Sequence, residues 1–289
     1  MKNDLPQSEK NICGRGSRER IVVGGADDTR DWLAHAPICE ALGRRTIAHV
    51  GVAEVCHPYE VVRRDLSGTF VMACCAGEGN VWLDGRWQTF RAGFACIAPP
   101  HVVHAYRAVP GRRWEFVWVR YREPPQRRPI VSASSPMLAA FDGEALRAAV
   151  LGLYHEASGS GAPALMDAWA ELIEQYVCLF THPWREDDRL QKLWDEVAAD
   201  LSHDWSVEEL ARRAGLSSQQ LRRICVHQLG RKPAEQLAWL RIRTSAALLS
   251  REHAKIESIA LAVGYRSAYR FSTTFRRLTG CRPSEYRAR

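Results

Sequence analysis

No stretch of the 289-residue sequence approaches the roughly 18 uninterrupted apolar residues that a bilayer-crossing helix needs, which excludes a membrane span. The first ten residues, Met1 to Lys10, have no apolar core after their first basic residue, so no secretory signal is expected and the protein is expected to stay in the cytoplasm. The nine cysteines (13, 39, 56, 74, 75, 96, 178, 225 and 281) are an odd number and include no CxxC pair. A disulfide framework or a zinc knuckle is therefore not expected, and most of them read as small core hydrophobes. With 46% hydrophobic and 25% charged residues the chain is neither polar nor charged enough to be disordered throughout. Its length suits roughly two domains of about 150 residues each.

Charge is distributed unevenly. Up to position 189 the chain carries 22 basic and 23 acidic residues, net −1, whereas positions 190 to 289 carry 18 and 10, net +8. A basic segment joined to a neutral one suggests a polyanion-binding module attached to something with a different task; a solvated basic surface is the plainer alternative.

From about Ile47 to Tyr121 short apolar and aromatic runs alternate with turn residues, among them Phe70 to Cys75, Asn80 to Leu83, Trp87 to Phe90, Ala95 to Ala98 and Trp114 to Val119. This spacing predicts an all-β sandwich or barrel, and the Asp84-Gly85 step predicts a hairpin. The proline-rich run Arg122 to Pro129 marks a domain edge. Apolar residues then recur at helical spacing: Leu138, Phe141, Leu146, Val150, Leu153 and Tyr154, and after a Ser-Gly loop Leu165, Trp169, Leu172, Ile173, Tyr176, Val177 and Phe180. Two amphipathic helices follow, packing on each other within the chain or against a second subunit.

The basic block repeats itself. Val207 to Ser217 is echoed 49 residues later by Ile256 to Arg266; with one residue inserted, Leu221 matches Phe271, Cys225 matches Phe275, Gly230 matches Gly280 and Pro233 matches Pro283. Each copy has a short helix with an inner Ala, a Gly at the turn, a polar start and a second helix, which is the pattern of a helix-turn-helix. The first recognition helix is expected from Ser218 to Leu229, with Leu221, Ile224, Cys225 and Leu229 inward and Ser218, Gln219, Arg222, Arg223 and His227 toward DNA. Gln suits adenine and Arg suits guanine. The second is expected from about Ser267 to Leu278, burying Phe271 and Phe275 and presenting Ala268, Tyr269, Arg270, Ser272, Thr273 and Arg276. Having fewer base-reading side chains, it is expected to hold phosphates while the first supplies more of the specificity. A rigid helix from Pro233 to Leu249 would space the two along one face of the duplex.

The tail from Gly264-Tyr265-Arg266-Ser267 through Phe275-Arg276-Arg277-Leu278-Thr279-Gly280 to Pro283-Ser284-Glu285-Tyr286 resembles the signature of the AraC/XylS family of bacterial transcription regulators. Thr273 departs from it, standing where the family often has Arg. The resemblance implies an α+β multidomain fold: an N-terminal β-barrel of the cupin-like jelly-roll type, a helical linker and a C-terminal all-α tandem helix-turn-helix. The expected boundaries are 1–45 for an N-terminal arm, 46–123 for the effector-binding barrel, 124–186 for the linker and helical dimerisation region, and 187–289 for the DNA-binding domain.

In the N-terminal half, Gly93, Pro99-Pro100, His104-Ala105-Tyr106, Trp114 to Trp118 and Tyr121 are similar to the effector domain of arabinose-type members. The resemblance implies pocket positions at Arg63 or its neighbour Arg64, Tyr106 and Trp118, with Phe116 where a pocket His would be. Trp82 and His104 complete the ligand-binding candidates. A cationic fork binds hydroxyls or a carboxylate, and a flat aromatic stacks on a ring. For Tyr106 and Trp118 plain barrel core is the alternative, and for Arg63 an exposed surface position.

A metal-dependent cupin enzyme would need an HxH pair, a carboxylate and a later His. Here His101 and His104 are three apart, on opposite faces of a strand, and no HxH precedes them. A DNA-repair methyltransferase would need an activated cysteine, whereas these cysteines sit in apolar runs. The expectation is thus a ligand-responsive, sequence-specific DNA-binding regulator and not an enzyme, with no cofactor and no metal. Its partners are expected to be double-stranded DNA, a small-molecule effector, a second copy of the chain and RNA polymerase, with no membrane. The resemblance implies activation, in control of uptake or catabolism of a small molecule, with a sugar as effector and an aromatic acid as the other class that suits Arg63.

Overall fold

Apolar and aromatic runs broken by turn residues make most of the first half of the chain strand. In a computed structural model of the protein, which describes residues 9–28, 30–63, 68–100, 102–123, 130–183, 188–251 and 254–287, ten strands among the described residues form one curled antiparallel sheet. They are β1 (Lys10–Cys13), β2 (Arg18–Val23), β3 (Ile47–Cys56), β4 (Tyr59–Arg63), β5 (Phe70–Leu83), β6 (Arg86–Arg91), β7 (Phe94–Ala98), β8 (His104–Ala108), β9 (Arg113–Tyr121) and β10 (Leu138–Ala140). The main path runs β1-β4-β8-β5-β9-β3-β2, with β6 and β7 pairing with β5, and β10 with β7. Asp84 and Gly85 join β5 to β6 with φ of 52° and 78°. Two positive values at a two-residue loop are the turn the sequence predicts there.

The α-helices of the described residues are α1 (Glu40–Arg44), α2 (Glu144–Ser158), α3 (Pro163–Thr181), α4 (Arg189–Ala199), α5 (Val207–Arg213), α6 (Ser218–Leu229), α7 (Pro233–Arg251), α8 (Ile256–Ala262), α9 (Ala268–Thr279) and α10 (Pro283–Arg287). The chain divides into two compact units, one holding the sheet apart from Leu83–Arg86 at the β5–β6 turn, with α1–α3, and the other holding α4–α10 with Leu83–Arg86 and Ser132–Met137.

In the first unit β3 is buried along most of its length on both faces, because α2 covers its outer side while its inner side faces the concavity. The buried residues of α2 (Leu146, Ala149, Val150, Leu153) and of α3 (Ala170, Ile173, Val177, Phe180) follow the three-and-four spacing of an amphipathic helix. An ion-pair cluster ties α1 to α3: Arg45 reaches Asp167, Glu171 and Glu174 at 2.9, 3.0 and 3.4 Å. Residues 138–183, expected within a linker, thus belong to the sheet unit. Residues 10–23, expected within an arm, supply β1 and β2 at the two ends of its main path. Short strands with polar residues give little periodic signal, and pairing with β4 and β3 decides their state.

In the second unit α7 packs against helices of both helix-turn-helix copies. It runs from Pro233 to Arg251, slightly longer than expected, and buries Leu237, Trp239, Leu240, Ile242 and Leu249.

Candidate ligand pocket and nucleic-acid interface

The curled sheet lines an open-mouthed cleft, about 440 Å³ when the solvent space at its mouth is counted. Its wall is assembled by strand alternation: on β9 Trp114, Phe116, Trp118 and Arg120 share the concave face, and pairing sets Arg120 opposite His49 of β3 and Phe70 of β5. On β4 and β8 the pairs Val61–Tyr106 and Arg63–His104 continue it. Asn11, Glu19, Arg30 and Trp32 complete the wall.

The aromatic part is continuous. Phe70 and Tyr106 stack 5.7 Å apart at 12°, and Phe116 packs edge-on to Tyr106 and tilted against Trp118. Trp118 lies flat on β3 because Gly51 leaves room: a Cβ there would come within 2.3 Å of the indole. Trp118 Nε1 donates to Nδ1 of His49 at 3.0 Å. The guanidinium groups of Arg30 and Arg63 approach the Trp32 ring at 4.9 and 5.6 Å, the geometry of cation–π contacts.

Both histidines of the wall are neutral. Burial, helped by Arg30 and Arg120, holds His49 well below the usual histidine range, and burial with Arg120 pushes His104 down to about 3. His104 Nε2 lies 3.1 Å from the carbonyl of Pro99. A carbonyl only accepts, so Nε2 carries the proton and Nδ1 is left as an acceptor, buried and without a partner among the described residues. Burial also pushes the carboxyl of Glu19 up, against a hydrogen bond from the Tyr59 hydroxyl at 2.6 Å.

In the second unit the two repeats close the same hydrogen bonds. At the turn, Gly215 N donates to Arg212 O (3.1 Å) and Leu216 N to Ala211 O (2.9 Å); in the other copy Gly264 N donates to Leu261 O (2.9 Å) and Tyr265 N to Ala260 O (2.8 Å). Both glycines are left-handed, φ 64° and 85°, so each first helix stops where its Gly stands. Ser217 Oγ caps α6 by accepting from Gln220 N, with the Gln220 side chain returning the bond, and Ser267 Oγ caps α9 by accepting from Arg270 N. Past the recognition helices, Glu235 Oε2 accepts from Lys232 N at 2.9 Å and Glu285 Oε2 from Arg282 N at 2.8 Å.

The inward faces of α6 and α9 are buried at Leu221, Cys225 and Leu229 and at Phe271, Phe275 and Thr279; Ile224 is half-buried. Gln219, Arg222, Arg223, His227, Ala268, Tyr269, Arg270, Thr273 and Arg276 are exposed, and Ser218 and Ser272 half-exposed. Basic residues on α5 are engaged by acids, as Arg213 is by Glu196 and Glu209. Arg222, Arg223, Arg270 and Arg276 have no ion-pair partner among the described residues, which leaves their guanidinium groups available to a polyanion.

Comparison with known proteins decides the family. A family model described as a helix-turn-helix domain matches residues 210–289, and one described as an AraC-like ligand binding domain matches residues 52–221, more than half of the chain. The chain belongs to the AraC family of transcription regulators. Among curated relatives of this AraC-family chain, the RCS-specific HTH-type transcriptional activator RclR of Escherichia coli is 34% identical over 111 residues, 38% of this chain and 37% of that one. The HTH-type transcriptional activator RhaR of Mannheimia succiniciproducens is 29% identical over 101 residues, 35% and 37% of the two chains. The chain thus spans about a third of the length of these relatives. Among solved structures, an AraC-type DNA-binding-domain regulator from Chromobacterium violaceum is 30% identical over 35% of this chain and 89% of its own, with a TM-score of 0.33. ToxT from Vibrio cholerae is 13% identical over 84% and 98% of the two chains, with a TM-score of 0.41.

Of the ligand-binding candidates, the AraC-family fold brings Arg63, His104, Tyr106 and Trp118 together at the cavity. Phe116 is fully buried behind Tyr106 and Trp118 and supports their rings. Trp82 is not at the cavity: Val81 is the residue opposite Tyr106, so its neighbour faces the other side of the sheet and packs with Val62, Val103, Ala105 and Trp87. Arg64 and His101 lie outside the described residues. Sequence reasoning missed Asn11, Glu19, Arg30, Trp32, His49, Val61, Phe70 and Arg120. Arg120 had a usable signal, since it continues the alternation of Trp114, Phe116 and Trp118. No three or more His, Cys, Asp or Glu side chains among the described residues are placed to hold a metal ion, and no helix among them is long and apolar enough to cross a membrane.

Proposed function

We propose that this protein is a ligand-responsive, sequence-specific DNA-binding transcription regulator: the cavity of the curled sheet takes a small-molecule effector, and α6 and α9 enter the major groove. The observation that carries this reading is the duplicated helix-turn-helix, whose copies share turn, cap and exit hydrogen bonds and expose arginines that form no ion pair among the described residues. In it, α6 supplies most of the base reading and α9 more of the phosphate contact. Catalysis, a cofactor or a resident metal has no part in this reading.

The protein acts as an activator that engages RNA polymerase, controlling uptake or catabolism of its effector in the cytoplasm, where the DNA is. It works as a homodimer. Supporting this, Leu165, Leu172 and Leu179 stand seven residues apart on α3 and are 51, 43 and 58% exposed, an apolar stripe at heptad spacing. A sugar effector would stack on the indoles of the wall, but the charge of that wall favours another class.

Selection of bound fragments from random and host DNA tests the reading. The wild-type chain is expected to enrich a site with two short blocks about one helical turn apart. Absence of any enrichment at moderate salt, with or without small molecules, would contradict it.

A further inference from the structure

Among the described residues the cavity wall holds three arginines, Arg30, Arg63 and Arg120, and one carboxylate, Glu19. Arg30 closes its fork on Asp28, with Nε to Oδ1 at 2.7 Å. Among the described residues Arg63 donates to uncharged acceptors: the carbonyl of Lys10 at 2.7 Å, the carbonyl of Val62 at 3.3 Å and Oδ1 of Asn11 at 2.8 Å. Arg120 is 5% exposed, donates Nη1 to the carbonyl of Tyr121, and keeps Nε buried with no partner among the described residues. Neither Arg63 nor Arg120 forms an ion pair among the described residues. Glu19, the carboxylate in the wall, is turned to Tyr59.

A buried guanidinium with unsatisfied donors is costly to hold. It stays charged at neutral pH, and the acceptor that meets it best is a carboxylate, which takes charge-assisted hydrogen bonds from its fork. Around it stand flat apolar faces, Phe70, Tyr106 and Trp118, and the unpartnered Nδ1 of His104 offers an acceptor for a hydroxyl. A sugar would meet the rings and Nδ1 but bring nothing to balance two arginines.

We infer that the effector is a small organic carboxylate with a planar apolar body, its carboxylate on Arg120 and Arg63 and its ring among Phe70, Tyr106 and Trp118. The inference rests on the reading of this cavity as the effector site.

Calorimetric titration of the full chain with benzoate, 4-hydroxybenzoate and phenylacetate, with the primary amide of each, and with arabinose tests both. At least one acid is expected to bind, with its amide about tenfold or more weaker, since the charge-assisted bonds are lost. Arg120→Gln is expected to abolish the preference for acid over amide. Because Arg120 is buried and its variant can fail to fold, Arg63→Gln, at a half-exposed position, provides the second test: weaker acid binding with amide binding held. Amides or arabinose binding as tightly as the acids would overturn the carboxylate while leaving the effector site standing. Binding by none of the compounds, charged or neutral, would overturn the inference and the effector-site reading together.

Discussion

Trp118 donates its indole N–H to Nδ1 of His49 across the β3–β9 pair, at 3.0 Å and out of water. The bond fixes the imidazole proton on Nε2 and joins two walls of the cavity. Trp118→Phe keeps a ring but leaves Nδ1 unsatisfied, so it is expected to cost about 1–3 kcal/mol in urea denaturation, plus lost packing. In the background of His49→Leu the same change is expected to cost clearly less, because no orphaned acceptor remains.

Acid sensitivity follows from His104. Burial pushes it down to about 3 in the folded chain, whereas an unfolded histidine titrates near 6.5. Below pH ~6.5 the unfolded chain takes up a proton that the folded chain refuses, so stability is full above that pH and declines toward pH ~3. Between pH 6.5 and 5 the loss from this residue is about 2 kcal/mol. Glu19, raised by burial, acts in the opposite direction. The measurement is therefore the difference between wild type and His104→Gln in denaturation midpoints across pH 7 to 5, with the variant expected to show the shallower decline.

The two turn glycines answer the same conformational need in different surroundings. A Cβ at Gly215 meets nothing within 4 Å, whereas one at Gly264 would lie 2.4 Å from the carbonyl oxygen of Leu201. Gly215→Ala is expected to cost about 1–2 kcal/mol for the left-handed backbone alone. Gly264→Ala is expected to cost more, because a backbone atom must also move. Thermal unfolding of the two variants compares them directly; equal losses would contradict the steric difference.

The leucine stripe on α3 predicts the oligomeric state. Leu172→Lys places a charge at the centre of the proposed seam and is expected to shift the chain from dimer to monomer in sedimentation equilibrium, with its circular dichroism unchanged. A wild-type chain that sediments as a monomer at micromolar concentration would count against the seam.

Much of the helical unit was legible because its information is local. The polar helix starts, the turn glycines and the apolar spacing of Leu221, Cys225 and Leu229 all lie within a few residues of what they determine, and duplication made each signal count twice. The cavity was less legible. Tyr106 and Trp118 were reached through the resemblance to arabinose-type effector domains, but Glu19, Arg30 and Trp32 come from a segment with little periodicity, and pairing partners far along the chain place them there. Trp82 was misassigned for the related reason that the face of a strand is set by register: Val81, not Trp82, stands opposite Tyr106.

Whether α6 reads bases is decided by comparing Arg222→Ala and Arg276→Ala with wild type on the selected site and on scrambled DNA over a range of salt. Arg222→Ala is expected to lose about 1–3 kcal/mol on the selected site only, narrowing the gap to scrambled DNA. Arg276→Ala is expected to weaken both alike, with a salt slope shallower by about one. A uniform loss on all sequences from Arg222→Ala would contradict the account.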